Sequence, residues 1–220
     1  GSCTEFAFLV QDPAEPRRQI FYFGSVGPIY LNAQQKALDS AYVAAGGFDI
    51  PWRDAPVVDP LTPQNYLEHW PGIAAMRAAA QFMARFPHLT GLRVSAVRPQ
   101  AALVPGATSA LMRGLYTEAG QVAEGMFLVS VFPFSPFTGM PAGGTGYGYF
   151  ICGATAPKAE FAARVQRQVE SLNSFTVTAS YISWCLAQSE KKWGAVAEAG
   201  RTLSEASDIV YEGWQSRSHG

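Results

Sequence analysis

The chain has 220 residues, of which 48% are apolar and 15% are charged. This composition excludes a disordered chain, because it holds enough apolar side chains to build a core. Sixteen basic and seventeen acidic residues give a net charge of -1, which argues against nucleic acid and anionic lipid as partners. A near-zero charge with 13% aromatic residues favours a protein partner or self-association. The longest apolar run, residues 126–132, is far shorter than the roughly 20 residues that span a bilayer.

Two sets of strands are predicted. Aromatic and β-branched runs at residues 5–10 and 19–24 flank a Pro-containing turn, which is typical of a β-hairpin. Further along the chain the apolar period changes to two, which predicts an antiparallel meander. Its strands are expected at residues 92–97, 110–118, 125–134 and 146–155.

The first helix is expected between the two sets of strands. Asn32 can accept from the free amides of a helix that begins at Ala33 and ends before the glycines at 46–47. Three residues at helical spacing predict that this helix is amphipathic: Leu38, Tyr42 and Val43.

A Pro-rich connector separates this helix from the next ones. Residues 48–60 contain three prolines, each of which fixes φ and removes a donor, so an extended segment is predicted. Thr62 followed by Pro63 is typical of a helix start. Pro71 is expected to break that helix before a second one over residues 72–86.

A helix after the meander is predicted from about residue 157 to 172, capped by Thr155 or Ala156. Its expected buried stripe is Phe161, Val165, Val169 and Leu172. No repeat and no Ser/Gly linker divides the chain. We therefore predict an α+β sheet domain over residues 1–175 and a helical extension over residues 176–220 that packs on the same domain. Three tryptophans in the extension support this packing: Trp184, Trp193 and Trp214.

The order of these elements resembles the Mog1/PsbP-like fold of bacterial proteins of unknown function. The resemblance is carried by the strand that ends near Ala156-Pro157, the helix after it, and the closing Ser174-Phe175. It implies an antiparallel sheet flanked by helices. Known members of that fold bind other proteins and are not enzymes, so the resemblance implies a binding role here too.

Groups that could carry out catalysis are scarce. Three cysteines and three histidines are too far apart in sequence to give the paired spacing of a zinc site, and no cofactor motif is present. Cys152, in a Gly-rich neighbourhood, is the one candidate nucleophile, with His69 or His88 as its base. A cysteine-dependent hydrolase is therefore kept as an alternative, although a mid-strand cysteine more often packs as a small apolar residue.

Two segments could form a binding surface. The Gly-rich loop at residues 139–148 lacks the lysine of a phosphate-binding loop and is expected to be an exposed connection, with Tyr147 and Tyr149 as contact residues. In the Pro-rich connector, Trp52 and Arg53 either pack on the body or anchor a partner.

We therefore expect a non-catalytic protein- or ligand-binding module. The remaining alternative is a small-molecule carrier with an apolar pocket lined by Phe127, Phe132, Phe134 and Phe137. The odd number of cysteines favours a reducing, cytoplasmic compartment. Lipidation of Cys3 or secretion is the other reading, and the first two residues are typical of an expression tag.

Overall fold

Six antiparallel strands form one sheet in a computed structural model of the chain. Their spatial order is β1 (Ala7–Asp12), β2 (Glu15–Tyr30), β6 (Thr145–Pro157), β5 (Gln121–Phe134), β4 (Thr108–Glu118) and β3 (Thr90–Gln100). The structure describes residues 7–81, 85–102, 105–134, 144–174, 178–181, 183, 184 and 187. The chain divides into two units, Thr4–Phe175 and a second that joins Gly1–Cys3 to Thr176–Gly220.

The predicted hairpin and the predicted meander are both confirmed. β1 pairs with β2, and β3 to β6 follow one another as antiparallel neighbours. β2 is much longer than its predicted core at 19–24, and its far half pairs with β6 through a register irregularity between Val26 and Ile29. The coarse fold class, α+β with one antiparallel sheet and a few helices, is therefore correct.

Within the described part of the first unit, four α-helices accompany the sheet: α1 (Ala33–Ala44), α2 (Pro63–Glu68), α3 (Trp70–Ala75) and α4 (Phe161–Asn173). The two predicted caps are confirmed. The Asn32 side chain accepts from the Gln35 amide at 2.7 Å, and Thr62 Oγ1 accepts from the Asn65 amide at 3.1 Å. Each cap satisfies one amide that the first helical turn leaves free.

The predicted helix over residues 72–86 is wrong. α3 begins at Trp70 and ends at Ala75, because Met76 adopts an extended conformation. Met76 is buried there, and a short 3₁₀ helix, Arg77–Gln81, follows it. Alanine and methionine favour a helix in isolation, but burial of Met76 in the core overrides that local preference.

The predicted start of α4 at residue 157 is also wrong. Thr155 and Ala156 lie in β6, and Glu160 is the residue at the N-terminus of the helix. The Thr155 hydroxyl is buried and donates to the Arg17 carbonyl at 2.8 Å. Thr155 therefore bonds within the sheet instead of capping the helix. Of the expected stripe, Phe161 is buried and the other three residues are half-buried.

The core lies on the sheet face that α2 and α3 cover. Phe21, Phe23, Phe127 and Ile151 point to this face and are fully buried, and Trp70 packs 6.0 Å from Phe23. Two buried polar side chains of α2 and α3 are paired with backbone carbonyls, which helps to fix these helices on the sheet. The Tyr66 hydroxyl donates to the Val26 carbonyl at 2.9 Å, and Trp70 Nε1 donates to the Pro87 carbonyl at 3.1 Å.

The described residues of the second unit include helical positions between 179 and 187, where the Tyr181 and Trp184 rings lie 6.0 Å apart. Trp193 and Trp214 lie outside the described residues. The packing of residues 176–220 on the domain therefore stays a prediction. Across the part of the chain that is described, no helix is long and apolar enough to cross a membrane.

Candidate binding surface

A continuous band of aromatic rings crosses the sheet face opposite the core, and we call it the aromatic band. Each ring centroid lies 5.6 to 6.5 Å from the next one. In spatial order its members are Phe134, Tyr147, Phe132, Tyr149, Phe150, Tyr22 and Phe8. Rings at these separations attract one another through offset and edge-to-face contacts.

Strand alternation places most of the band on this face. Val131 is buried on the core face, so its neighbour Phe132 points to the opposite face, where it lies beside its pairing partner Tyr147. The same alternation puts Tyr22 between the core residues Phe21 and Phe23.

A β-bulge places Tyr149 in the band. Ser130 pairs with Phe150 and Val131 pairs with Gly148, so Tyr149 is the extra residue relative to β5. Because the bulge interrupts the alternation, the rings of Tyr149 and Phe150 lie 6.0 Å apart although the two residues are adjacent in sequence. Tyr149 at the bulge therefore links the rings on the Phe132 side of the band to those on the Phe150 side.

The band is most open at its Phe134 end, where that side chain is 38% exposed. Phe132, Tyr147 and Tyr149 are half-buried. Tyr147 also lies over Gly27 of β2, where an added Cβ would come within 2.7 Å of the Tyr147 ring. The two predicted contact residues, Tyr147 and Tyr149, therefore lie together in one surface with Phe132 and Phe134.

The Gly-rich loop returns to the sheet beside α1. Residues 135–143 lie outside the described part of the chain, so the expected exposure of the loop stays a prediction there. At its end, the Leu31 amide donates to the Gly144 carbonyl at 2.8 Å, and Gly144 lies against Gln35 of α1. The start of α1 and the open end of the aromatic band therefore belong to the same end of the sheet.

The Pro-rich connector packs on α1 and on the core. Trp52 is half-buried against the core cluster, and its Nε1 is buried without a hydrogen-bond acceptor among the described residues. Arg53 is half-buried in the adjoining turn, where its amide donates to the Ile50 carbonyl. Lys36 Nζ of α1 donates to the Ala55 carbonyl at 2.7 Å. The structure does not place Trp52 in contact with the aromatic band.

Sequence reasoning missed a second exposed apolar surface, formed by Leu38, Tyr42 and Phe48. We call it the α1 patch. These side chains are 58%, 50% and 86% exposed. The Tyr42 ring covers Gly47, where any Cβ would collide with it, and so continues the helix surface toward Phe48. The helical spacing was visible in the sequence, but it does not show which face of a helix is turned outward.

The structure places His69, one of the two predicted bases of Cys152, over the other face of the sheet. Cys152 pairs with Tyr22 and Leu128 in the middle of the sheet, and burial raises the pKa of its thiol to about 11. His69 stands between α2 and α3 over the opposite face, where its Nδ1 lies 2.8 Å from the Asn65 carbonyl oxygen. His88 lies in the segment before β3 and lines a cavity with Pro71 and Arg85. The sheet therefore separates the Cys152 thiol from the His69 ring.

Three of the four phenylalanines expected to line one pocket are described, and these three do not share one face of the sheet. Phe127 is fully buried in the core, whereas Phe132 and Phe134 lie on the opposite face. Phe137 lies outside the described residues. An odd number of positions separates Phe127 from Phe132, so strand alternation assigns them to opposite faces. Within the described residues, no group of three or more His, Cys, Asp or Glu side chains could hold a metal ion.

The fold and this surface define an α+β protein with a six-stranded antiparallel sheet and an aromatic outer face. A comparison with protein-family models finds no match, and a comparison with curated proteins finds none either. A crystal structure of a Pseudomonas aeruginosa protein of unknown function, described as a candidate regulator, is similar over 79% of this chain and 84% of its own. Its sequence identity is 11% and its TM-score is 0.32, and a score at that level does not establish a shared fold.

Proposed function

We propose that this chain is a non-catalytic module that binds a protein segment through the open end of the aromatic band. The observation that carries the proposal is the cluster of Phe132, Phe134, Tyr147 and Tyr149 on a sheet face outside the core. Aromatic side chains at a half-exposed surface supply large contact areas, and Tyr adds a hydroxyl that can bond to a partner backbone.

Rigidity of the cluster supports this role. Its rings stand on paired strands and pack against one another, so little side-chain entropy remains to be lost when a partner binds. The partner chemistry that fits is an apolar or aromatic segment, because the described rings present no charge. Trp52 and Arg53 enter the proposal as a second contact of the same module, separate from the aromatic band.

We also propose that the sheet and α4 follow the Mog1/PsbP-like arrangement. Its support is the succession of an antiparallel meander, a strand that ends at Pro157, and a helix that begins at Phe161. On this proposal the chain belongs with bacterial binding proteins rather than with enzymes, and its compartment would be cytoplasmic.

A photo-crosslinker tests the binding proposal. Replacing Phe134 with p-benzoylphenylalanine in the native host should give a discrete protein adduct on irradiation. The control carries the same crosslinker at Val122, an apolar position at the other end of β5 that is 47% exposed, against 38% for Phe134. Adding Tyr149→Ala to the Phe134 probe should lower the adduct yield at least about tenfold, as for a residue that dominates an interface.

Two outcomes would contradict the proposal. Adducts of equal yield from positions 134 and 122 would show non-specific capture. Absence of any protein adduct, with a small molecule found bound in native mass spectra, would favour the carrier alternative instead.

A further inference from the structure

The amphipathic orientation of α1 is the reverse of that of an ordinary surface helix: its apolar side faces outward and its polar side faces the body of the protein. None of its residues is buried, and its half-buried residues are mostly polar: Gln35, Lys36, Asp39 and Ser40. Its exposed residues are mostly apolar: Ala33, Ala37, Leu38, Ala41, Tyr42 and Ala44. A surface helix normally packs its apolar stripe on the core and turns polar residues to water.

Polar contacts hold the helix in this orientation. The Tyr30 hydroxyl donates to Asp39 at 2.9 Å, and Gln35 Nε2 donates to the other oxygen of the same carboxylate at 2.7 Å. Lys36 Nζ donates to the Ala55 carbonyl and lies over the Tyr30 ring. The apolar side of α1 is therefore held away from the core by specific bonds.

We propose that the α1 patch and the alanines around it form a twofold interface with a second copy of this chain. Between residues 33 and 48 the only charged side chains are Lys36 and Asp39, and both are engaged with the body of the same molecule. The outward side of residues 33–48 carries no charge to select a different partner by complementarity, and the adjoining Asp49 is paired with Arg77 of the same chain. It also places no like charges opposite each other when two identical surfaces meet.

The shape of the surface suits helix pairing. The small side chains of the alanines at 37, 41 and 44 leave a shallow surface beside Leu38 and Tyr42. Two such helices can therefore approach to the 8–10 Å between helix axes that is typical of packed helices. Tyr42 and Phe48 then bury their rings against the partner's alanines. In an isologous contact, each packing of a ring of one copy on the alanines of the other occurs twice.

The available area sets the expected strength. At about 200 Å² for a whole aromatic side chain, the exposed fractions of Tyr42 and Phe48 give roughly 270 Å² per copy. Leu38 and the alanines bring the total for two copies near the lower limit of about 1,000 Å² for a specific interface. The dimer is therefore weak and depends on concentration.

Sedimentation velocity over a concentration series tests this contact. The wild-type chain should shift from monomer to dimer, and Leu38→Glu should weaken the dimer roughly tenfold or more, because two like charges would meet across the twofold axis. Val122→Glu, which places the same charge at another exposed apolar position, should dimerise like the wild type. Circular dichroism of each variant shows that the fold is retained.

Mixing variants of opposite charge at position 38 tests whether the two copies meet through this position. Leu38→Lys alone should dimerise as poorly as Leu38→Glu, whereas an equal mixture of the two variants should recover most of the association. A wild-type monomer up to roughly 1 mM, or a Leu38→Glu dimer as strong as that of the wild type, would overturn the proposal. The contact does not use the aromatic band, so Tyr149→Ala should leave dimerisation unchanged even where it abolishes partner binding.

Discussion

Glu118 and Gln19 each bury a side-chain oxygen that has no donor among the described residues. The amide nitrogen of Gln19 is satisfied, since it donates to the Tyr116 hydroxyl at 3.1 Å, and that hydroxyl donates to Thr155 Oγ1 at 3.0 Å. A buried carboxylate oxygen without a donor is costly. Burial accordingly raises the pKa of Glu118 above its ordinary value of 4.5.

Glu118→Gln is expected to stabilise the protein at neutral pH. Because the pKa of Glu118 is higher in the folded chain than in the unfolded chain, its carboxylate lowers stability as pH rises from about 4.5 upward. Below that pH the group is protonated in both states, and the variant should match the wild type. Urea unfolding at pH 4 and at pH 7 measures the difference, and equal effects at both pH values would contradict this account.

Glu15→Gln is the control, because its effect on the free energy of unfolding should have the opposite sign to that of Glu118→Gln. Its bond to Arg17 lowers the pKa of Glu15 from 4.5 to about 2. A lowered folded pKa contributes stability above the unfolded value and loses it as pH falls toward 2. Glu15→Gln should therefore destabilise at pH 7, and its effect should shrink as pH falls toward 2, where the carboxyl is protonated in the unfolded chain and about half protonated in the folded one.

Cys152 should be a slow thiol. A pKa of about 11 leaves far less thiolate at pH 8 than a free cysteine with a pKa near 8.5 has. We expect iodoacetamide to modify native Cys152 at least about tenfold more slowly than the unfolded chain, with peptide mapping to assign the site. Modification as fast as that of the unfolded chain would favour the hydrolase alternative.

Among the secondary-structure elements, local sequence signals predicted where helices start and the period of the strands, but not the tertiary contacts that the elements make. Asn32 and Thr62 mark helix starts because a cap is a short-range bond that depends on a few residues. The end of α3 at Met76 depends on burial against the rest of the molecule, which no window of sequence contains. The inverted orientation of α1 likewise depends on Tyr30 and Ala55, outside the helix.

Trp52 and Arg53 of the connector should contribute unequally to stability, although both are half-buried. Trp52→Ala should cost about 2 kcal/mol, because it empties a half-buried site against the core. Arg53→Ala should stay within about 0.5 kcal/mol of the wild type, since no side-chain hydrogen bond of Arg53 is seen among the described residues. Thermal unfolding of the two single variants measures this, and a negligible effect of Trp52→Ala would favour the anchor role for its indole.

In the whole molecule, the sheet was predictable from the sequence and the candidate binding surface was not. Period-two alternation along residues 125–134 assigns Phe127 and Val129 to one face and Phe132 to the other. The aromatic band, however, also requires the register of β5 on β6 and the extra residue Tyr149. Cross-strand register depends on pairing between distant segments, so neither the band nor its continuity can be read from one strand.

The first unit, Thr4–Phe175, should fold by itself. This unit holds all six strands and the buried cluster from Phe21 to Ile151. A chain that ends at residue 175 should therefore unfold in one cooperative transition, because a domain of this size can carry its own core. Urea unfolding followed by fluorescence and by far-UV circular dichroism should give coincident midpoints. Transitions that separate, or loss of cooperativity, would show that residues 176–220 are needed to complete the core.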